Sequence, residues 1–164
     1  MKALHAALAS LLASEAAFLA DMEVLGLGRN GQRVVPKVLL GNRPLQSLGQ
    51  EHLPAWVIEA ADSDASAIGA DQDEAGLVIG SDRQGFRAEI PLALVWHQQC
   101  PETAFNQRLD LASALNRLLL RNPALGETAE LAWLAGTNND RQALHPTHVA
   151  MFRVAVLFTT RRDP

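Results

Sequence analysis

The stretch Phe86-Arg-Ala-Glu-Ile-Pro-Leu-Ala-Leu-Val-Trp96 has the strongest secondary-structure signal in the chain. Every second residue is apolar, and successive side chains of a strand point to opposite faces of a sheet. The alternation therefore predicts a strand over 86–97 with one face turned toward a core. The residues predicted to share that face are Phe86, Ala88, Ile90, Leu92, Leu94 and Trp96.

A helix is predicted on each side of this strand. Downstream, Pro101 suits a first helical turn, because the N–H that proline lacks would be unpaired there anyway. The sequence predicts a helix over about 102–121, which Asn122-Pro123 ends. Its predicted buried stripe consists of Phe105, Leu109, Ala112, Leu115 and Leu119. Upstream, residues 3–25 carry apolar residues at helical spacing, with one acid, Glu15, on the stripe.

Shorter strands are predicted over 33–40, 55–60, 77–79 and 128–135, and a long one over 149–160. Pro36 makes the first of these an edge or irregular strand. Residues 81–85 and 136–140 are predicted to be turns because of their Gly, Asn, Asp and Ser content. In the last strand, one face is predicted to carry Ala150, Phe152, Val154, Val156 and Phe158.

This order of elements predicts an α+β domain. A mixed or antiparallel sheet packs against two main helices, at about 3–25 and 102–121. The length of 164 residues fits one domain over 1–164. We expect a mobile acidic loop within it, around 59–76.

Composition excludes several classes of protein. Apolar residues make up 48% and charged residues 20%, which is normal for a soluble globular chain. The net charge of −4 argues against sequence-specific nucleic-acid binding, which normally needs a basic footprint. One cysteine excludes an internal disulfide framework. The longest apolar run, Ile90–Trp96, is too short to cross a bilayer, so we expect no membrane partner and a reducing cytoplasm.

Motifs for cofactors are weak. Gly26-Leu-Gly28-Arg-Asn-Gly31 matches a dinucleotide fingerprint only as a string, because a helix precedes it and a strand follows. We interpret it as a helix C-cap and loop, and expect no cofactor.

The single cysteine suggests two kinds of chemical site. Cys100, at a helix start, and His97 offer a nucleophile and a base, although no third catalytic group accompanies them. With His145 and His148 they form a possible zinc set, but the 44 residues between Cys100 and His145 match no common zinc spacing. We therefore predict no catalytic residue and no metal, with His97, Cys100, His145 and His148 as the weaker alternative.

Charged clusters are the candidate partner-interface residues. They are Asp62, Asp64, Asp71, Asp73 and Glu74 on the acidic side and Arg153, Arg161 and Arg162 on the basic side. A calcium loop starting at Asp62 lacks the glycine needed at its sixth position, where Ala67 stands. Opposite charges on two edges would instead set the register of a contact between subunits.

The whole arrangement resembles the tail terminator (tail completion) proteins of long-tailed bacteriophages. The resemblance rests on the N-terminal amphipathic helix, the strand Phe86–Trp96, the helix Glu102–Leu118, and the final strand His148–Thr159 with its charged tail Thr159-Thr160-Arg161-Arg162. It implies an α+β subunit of a homo-oligomeric ring, a hexamer, without a cofactor.

Such a ring caps the tail tube, stops its elongation and joins the tail to the head. The implied partners are further copies of the chain, the tail tube protein and the head–tail connector or neck protein. The implied location is the tail-neck region of a phage or prophage virion, assembled in the host cytoplasm. Another head–tail neck or completion adaptor, and a small metal-dependent enzyme, remain as alternatives.

Overall fold

The structure is a computed structural model that describes residues 1–27, 36–41, 48, 50–59, 66–67, 83–139 and 146–161. The helices in these ranges are α1 (Lys2–Ser14), α2 (Ala16–Leu25) and α3 (Pro101–Arg121). The strands are β1 (Lys37–Leu40), β2 (Ala55–Ile58), β3 (Ser66–Ala67), β4 (Arg83–His97), β5 (Leu131–Asn139) and β6 (Thr147–Arg161). The α+β class is confirmed.

The six described strands form one mixed sheet in the order β1-β2-β4-β6-β5, with β3 paired to β4 off this path. Only β1 and β2 pair in parallel, with Lys37 opposite Ala55. The long strands β4 and β6 pair along their whole length, from Arg83 opposite Arg161 to His97 opposite Thr147. This ladder places the two most strongly alternating segments of the sequence side by side at the centre of the sheet.

One face of the sheet and the three helices enclose the main core. The apolar side chains predicted for 86–97 and 149–160 lie on this face, and most of them are buried. Trp56 lies between Phe18 of α2 and Phe152 of β6, with ring centroids 6.1 and 5.9 Å away. These contacts fix the helices against the sheet, since aromatic rings bury large apolar areas.

We call the opposite face of the sheet the open face. Every described helix contributes its buried residues to the main core, whereas the open face has a small separate cluster. That cluster consists of Val57, Ala93, Val95 and Val149, with Leu48 and Leu53 packed against it. The remaining length of the open face belongs to the outward side chains of β4, β5 and β6.

The prediction of one continuous helix over 3–25 is wrong. The structure has two helices that meet at Glu15 with a bend of 61°. The Glu15 carboxylate accepts a hydrogen bond from the Phe18 amide and so caps α2. It also accepts two hydrogen bonds from Arg121 of α3, at 3.2 and 3.1 Å. The position of Glu15 within the apolar stripe of 3–25 is the feature of the sequence that indicates this break.

Gly26 ends α2 as predicted. Its φ of 59° is left-handed, and its amide donates to the Glu23 carbonyl, which is the conformation that glycine adopts most readily at a helix end. No single described helix has the length and apolarity to cross a membrane. Together α1 and α2 reach both, but they are bent at Glu15.

The turns predicted over 81–85 and 136–140 are partly wrong, because their described residues belong to longer strands. Residues 83–85 belong to β4, where they pair with 159–161, and residues 136–139 belong to β5. A bulge between Leu134 and Gly136 absorbs the extra residue. Turn-type residues are in strands here because a long partner strand supplies their backbone hydrogen bonds, which local propensity does not foresee. The predicted strand 77–79, and residues 81 and 82, lie outside the described residues.

The buried face of α3 is also different from the predicted stripe. Leu115 and Leu119 are buried, but Phe105 and Leu109 are each 56% exposed and Ala112 is half-buried. The buried residues are Ala104, Gln107, Arg108, Leu111, Ala114, Leu115, Leu118 and Leu119. The helix is therefore rotated relative to the prediction, because Gln107 and Arg108 point into the interior.

A first prediction concerns the junction at Glu15. Partial burial raises the pKa of its carboxyl, but hydrogen bonds from Arg121 and Phe18 and the charge of Arg121 together lower it. The lowered pKa means that the contact stabilises the fold above the ordinary glutamate pKa of about 4.3 and is lost as the pH falls through the folded value. We expect Glu15→Gln to reduce the free energy of unfolding by about 1 kcal/mol at pH 7.

The check is urea denaturation of both proteins between pH 7 and pH 3. The difference between them should shrink below about pH 4.3. A difference that stays constant over this range would contradict the account of the junction.

Candidate functional site

A buried polar cluster connects α3 with the ends of β4 and β6. His148 is fully buried, and its Nδ1 accepts a hydrogen bond from the Arg108 guanidinium at 2.9 Å. Its Nε2 lies 2.8 Å from the Gln98 carbonyl oxygen. Because arginine can only donate, the ring proton is assigned to Nε2, which donates to Gln98. Both ring nitrogens of His148 are thus used by the fold.

The second half of the cluster explains the rotation of α3. The Trp96 indole N–H donates to the Gln107 side-chain oxygen at 3.0 Å, and the Gln107 amide donates to the Leu25 carbonyl at 3.0 Å. The Arg108 guanidinium lies 5.9 Å from the centroid of the Trp96 ring. Buried polar groups are stable when they are hydrogen-bonded. Gln107 and Arg108 therefore take core positions that the sequence assigned to leucine and phenylalanine.

The alternative metal set receives no support from this geometry. His148 is occupied, and His145 lies outside the described residues. His97 is half-buried and Cys100 is exposed, and no hydrogen bond joins these two side chains in the described part of the chain. In that same part, no cluster of three or more His, Cys, Asp or Glu side chains is able to hold a metal ion.

Cys100 occupies the N-cap position of α3. The hydroxyl of Thr103, and next its backbone amide, lower the pKa of the Cys100 thiol. A lowered pKa increases the thiolate fraction at neutral pH, so this exposed thiol is suited to chemical labelling. The buried Nδ1 of His97 has no hydrogen-bond partner within the described residues, so it does not contact the thiol of Cys100 there.

The open face of the sheet carries the charged and aromatic groups. Glu89 of β4 forms ion pairs with Arg87, at 3.1 Å, and with Arg153 of the neighbouring strand β6, at 3.5 Å. The Arg87 guanidinium also lies 5.5 Å from the centroid of the Trp133 ring on β5. The neighbouring strands β4, β6 and β5 thus present one connected row of charge and aromatic surface.

Apolar side chains flank this row. Leu131 is 44% exposed and Met151 is 39% exposed. The Arg153 side chain is 65% exposed and lies over Gly136, where an added Cβ would be 3.0 Å from a guanidinium nitrogen. Glycine at this position of β5 therefore leaves room for Arg153 to lie flat on the sheet.

The predicted interface residues fall into two groups. Arg153 lies on the open face, and Arg161 is the last residue of β6. The remaining predicted interface residues lie outside the described residues: Asp62, Asp64, Asp71, Asp73, Glu74 and Arg162. The prediction does not include Arg87, Glu89 and Trp133, which the structure places in one row with Arg153. Their signal was present, since Arg87 and Glu89 are the polar positions of the alternating stretch 86–96.

A second prediction tests the buried cluster. We expect His148→Ala to reduce the free energy of unfolding by about 3 kcal/mol, because Arg108 loses its acceptor in a buried site. The measurement is chemical denaturation with and without a chelator. Addition of the chelator to the original protein should leave the midpoint unchanged. A chelator-induced loss comparable to that of His148→Ala would instead support the metal alternative.

Comparison with known proteins adds no relative. No protein-family model matches the chain, and no curated protein matches it significantly.

Proposed function

We propose that the chain is a structural subunit of phage tail assembly, similar to tail terminators, which forms a ring that caps the tail tube and joins it to the head. The observation that carries the proposal is the open face, where β4, β5 and β6 present exposed charge, an aromatic ring and apolar groups in one row. An exposed row of this kind is suited to contact with another protein surface.

The fold is consistent with that role. The resemblance to tail terminators implies an α+β subunit with an N-terminal amphipathic helix, a central strand followed by a helix, and a long final strand. The described elements α1, β4, α3 and β6 follow this order. Their most hydrophobic faces are turned inward, so the subunit can fold before it meets its partners.

The partners proposed with this function are other copies of the chain, the tail tube protein and the head–tail connector or neck protein. A neighbouring role as another head–tail completion adaptor uses the same surfaces. The net charge of −4 favours a ring through which DNA passes without being held, since nonspecific DNA affinity comes mainly from basic side chains. No cofactor is part of the proposal.

The test is a tube elongation assay with a purified tail tube protein of a long-tailed phage. We expect the purified chain to stop the growth of tubes and to remain on their ends after sedimentation. An Arg153→Glu variant should cap less well, whereas Val24→Ser, a change at an exposed site of α2 on the other side of the sheet, should cap normally. Tubes that elongate at the same rate with and without the chain would overturn the proposal.

A third prediction concerns the acidic stretch. Charge reversal of Asp62, Asp64, Asp71 and Asp73 should weaken subunit or tail contacts, because opposite charges set the register of an interface. The thermal midpoint of the isolated subunit should change little, since solvated charges contribute little to a core. Thermal melts and the capping assay provide the two readouts. Unchanged capping would exclude the stretch from the interface.

A further inference from the structure

The outward side of α3 carries an apolar pair at its N-terminal end. Phe105 and Leu109 are four residues apart, so their side chains are neighbours on the helix surface. Both are more than half exposed. Phe105 also lines a shallow depression with Pro101, Glu102 and Asn106. Two large apolar side chains next to a depression form a surface that another protein can cover.

Acidic residues flank this pair. Glu102 and Asp110 are exposed, and neither forms an ion pair with another residue in the described ranges. The two arginines further along α3 are already used, since Arg117 pairs with Asp21 and Arg121 with Glu15. The surface formed by Glu102, Phe105, Leu109 and Asp110, here named the α3 patch, is therefore apolar with two negative charges.

The open face has a complementary character at Arg87 and Arg153. Both arginines share one acid, Glu89, which pairs with each of them. A second acid, Glu130, lies beside Leu131 and accepts a hydrogen bond from Thr159. Leu131, Trp133 and Met151 supply apolar surface around these charges. The surface formed by Arg87, Leu131, Trp133, Met151 and Arg153, here named the sheet patch, is apolar and carries two arginine side chains.

The two patches lie on opposite sides of the subunit. The inward side of α3 packs on the core face of the sheet, so the α3 patch points away from the sheet. The sheet patch lies on the face that points away from the helices. They cannot meet within one subunit, and each is complementary to the other rather than to itself.

We propose that the sheet patch of one copy of this chain docks on the α3 patch of the next copy. The contact is heterologous, because two different patches meet. In a pair of copies, the α3 patch of one copy and the sheet patch of the other remain free for further copies. Repetition of such a contact produces a ring when the rotation closes and a filament when it does not. The inference rests on the proposed function as a ring subunit and identifies the surfaces that build the ring.

The native cysteine makes the contact testable by cross-linking. Cys100 is exposed and lies two residues before Glu102 of the α3 patch, and the chain has no other cysteine. Met151→Cys places a second thiol in the sheet patch. With a short bismaleimide, this variant should form a ladder of dimers, trimers and larger species on a denaturing gel.

Two control variants define the contact. Val24→Cys keeps Cys100 and adds a thiol at an exposed position of α2, outside both patches, and should yield no ladder. Met151→Cys combined with Cys100→Ser has one thiol and should yield dimers at most. Equal ladders from Met151→Cys and Val24→Cys, or no ladder from either, would overturn the proposal.

A charge exchange supplies an independent test. Arg153→Glu should raise the concentration for half-assembly about tenfold, because it opposes like charges across the contact. Asp110→Arg in the same chain should restore assembly, since the α3 patch then carries a positive charge opposite the acid introduced into the sheet patch. Phe105→Asn with Leu109→Asn changes only exposed positions and should weaken assembly without lowering the melting temperature. Assembly that is unaffected by Arg153→Glu would contradict the contact.

The outcomes separate this inference from the proposed function. Rings that cap tubes but tolerate all these changes would refute the contact and the role of Arg153 in capping, and would leave only the capping function itself standing. A head-to-tail ladder from a chain that never caps tubes would support the contact and refute the function. Light scattering of each variant with the capping assay distinguishes these results.

Discussion

Phe152→Ala should reduce the free energy of unfolding by about 4 kcal/mol. Phe152 is 2% exposed at the centre of β6, and its ring lies 5.9 Å from the ring of Trp56, which in turn contacts Phe18 of α2. Removing the ring leaves a cavity where the sheet meets the helices, and the surrounding side chains cannot fill it without moving the backbone.

The neighbouring residue supplies the matched control. Met151 has the same strand environment but points to the open face and is 39% exposed. Met151→Ala should cost under about 1 kcal/mol by the same chemical denaturation assay. Similar losses of unfolding free energy in the two variants would contradict the assignment of Phe152 to the buried face and Met151 to the exposed face of β6.

Leu115→Ala should reduce the free energy of unfolding by about 3 kcal/mol, whereas Leu109→Ala should change it by less than about 0.5 kcal/mol. Both leucines belong to the stripe that the sequence predicts, but only Leu115 is buried. The comparison keeps residue type and helix constant, so it isolates burial. Equal losses of unfolding free energy would support the predicted buried stripe and contradict the observed rotation of α3.

The faces of the two long strands were predictable from a few charged positions and the large apolar residues between them. Arg87 and Glu89 of β4 and Arg153 of β6 mark the outward face, and a one-residue error would turn the whole set to the other face. The structure pairs the two strands in a single register, with Ile90 opposite Val154 and Leu92 opposite Phe152. Even a few charged residues at every second position therefore identify the face of a strand that is otherwise largely apolar.

The buried face of α3 was not predictable in the same way. The helix has apolar residues on several sides, including the exposed Leu120, so hydrophobicity alone does not select one face. The selection comes from Gln107 and Arg108, whose partners Trp96 and His148 are distant in sequence. A polar residue looks like a surface residue until its buried partner is known.

The candidate site was only partly foreseen. The sequence predicts Arg153 at an interface, and the structure places it on the open face beside Glu89. The sequence gives Trp133 a place in a strand but no role, because its proximity to Arg87 depends on the antiparallel pairing of β5, β6 and β4. Phe105 and Leu109 were assigned to the core, so the error in the face of α3 concealed the α3 patch.

The most direct test of the central claim is the solution mass of the purified chain, alone and mixed with tail tubes, by light scattering and negative-stain imaging of the same samples. We expect ring particles of about six subunits, free or seated on tube ends. A monomer mass at all concentrations, with tube ends free of added density, would contradict this claim.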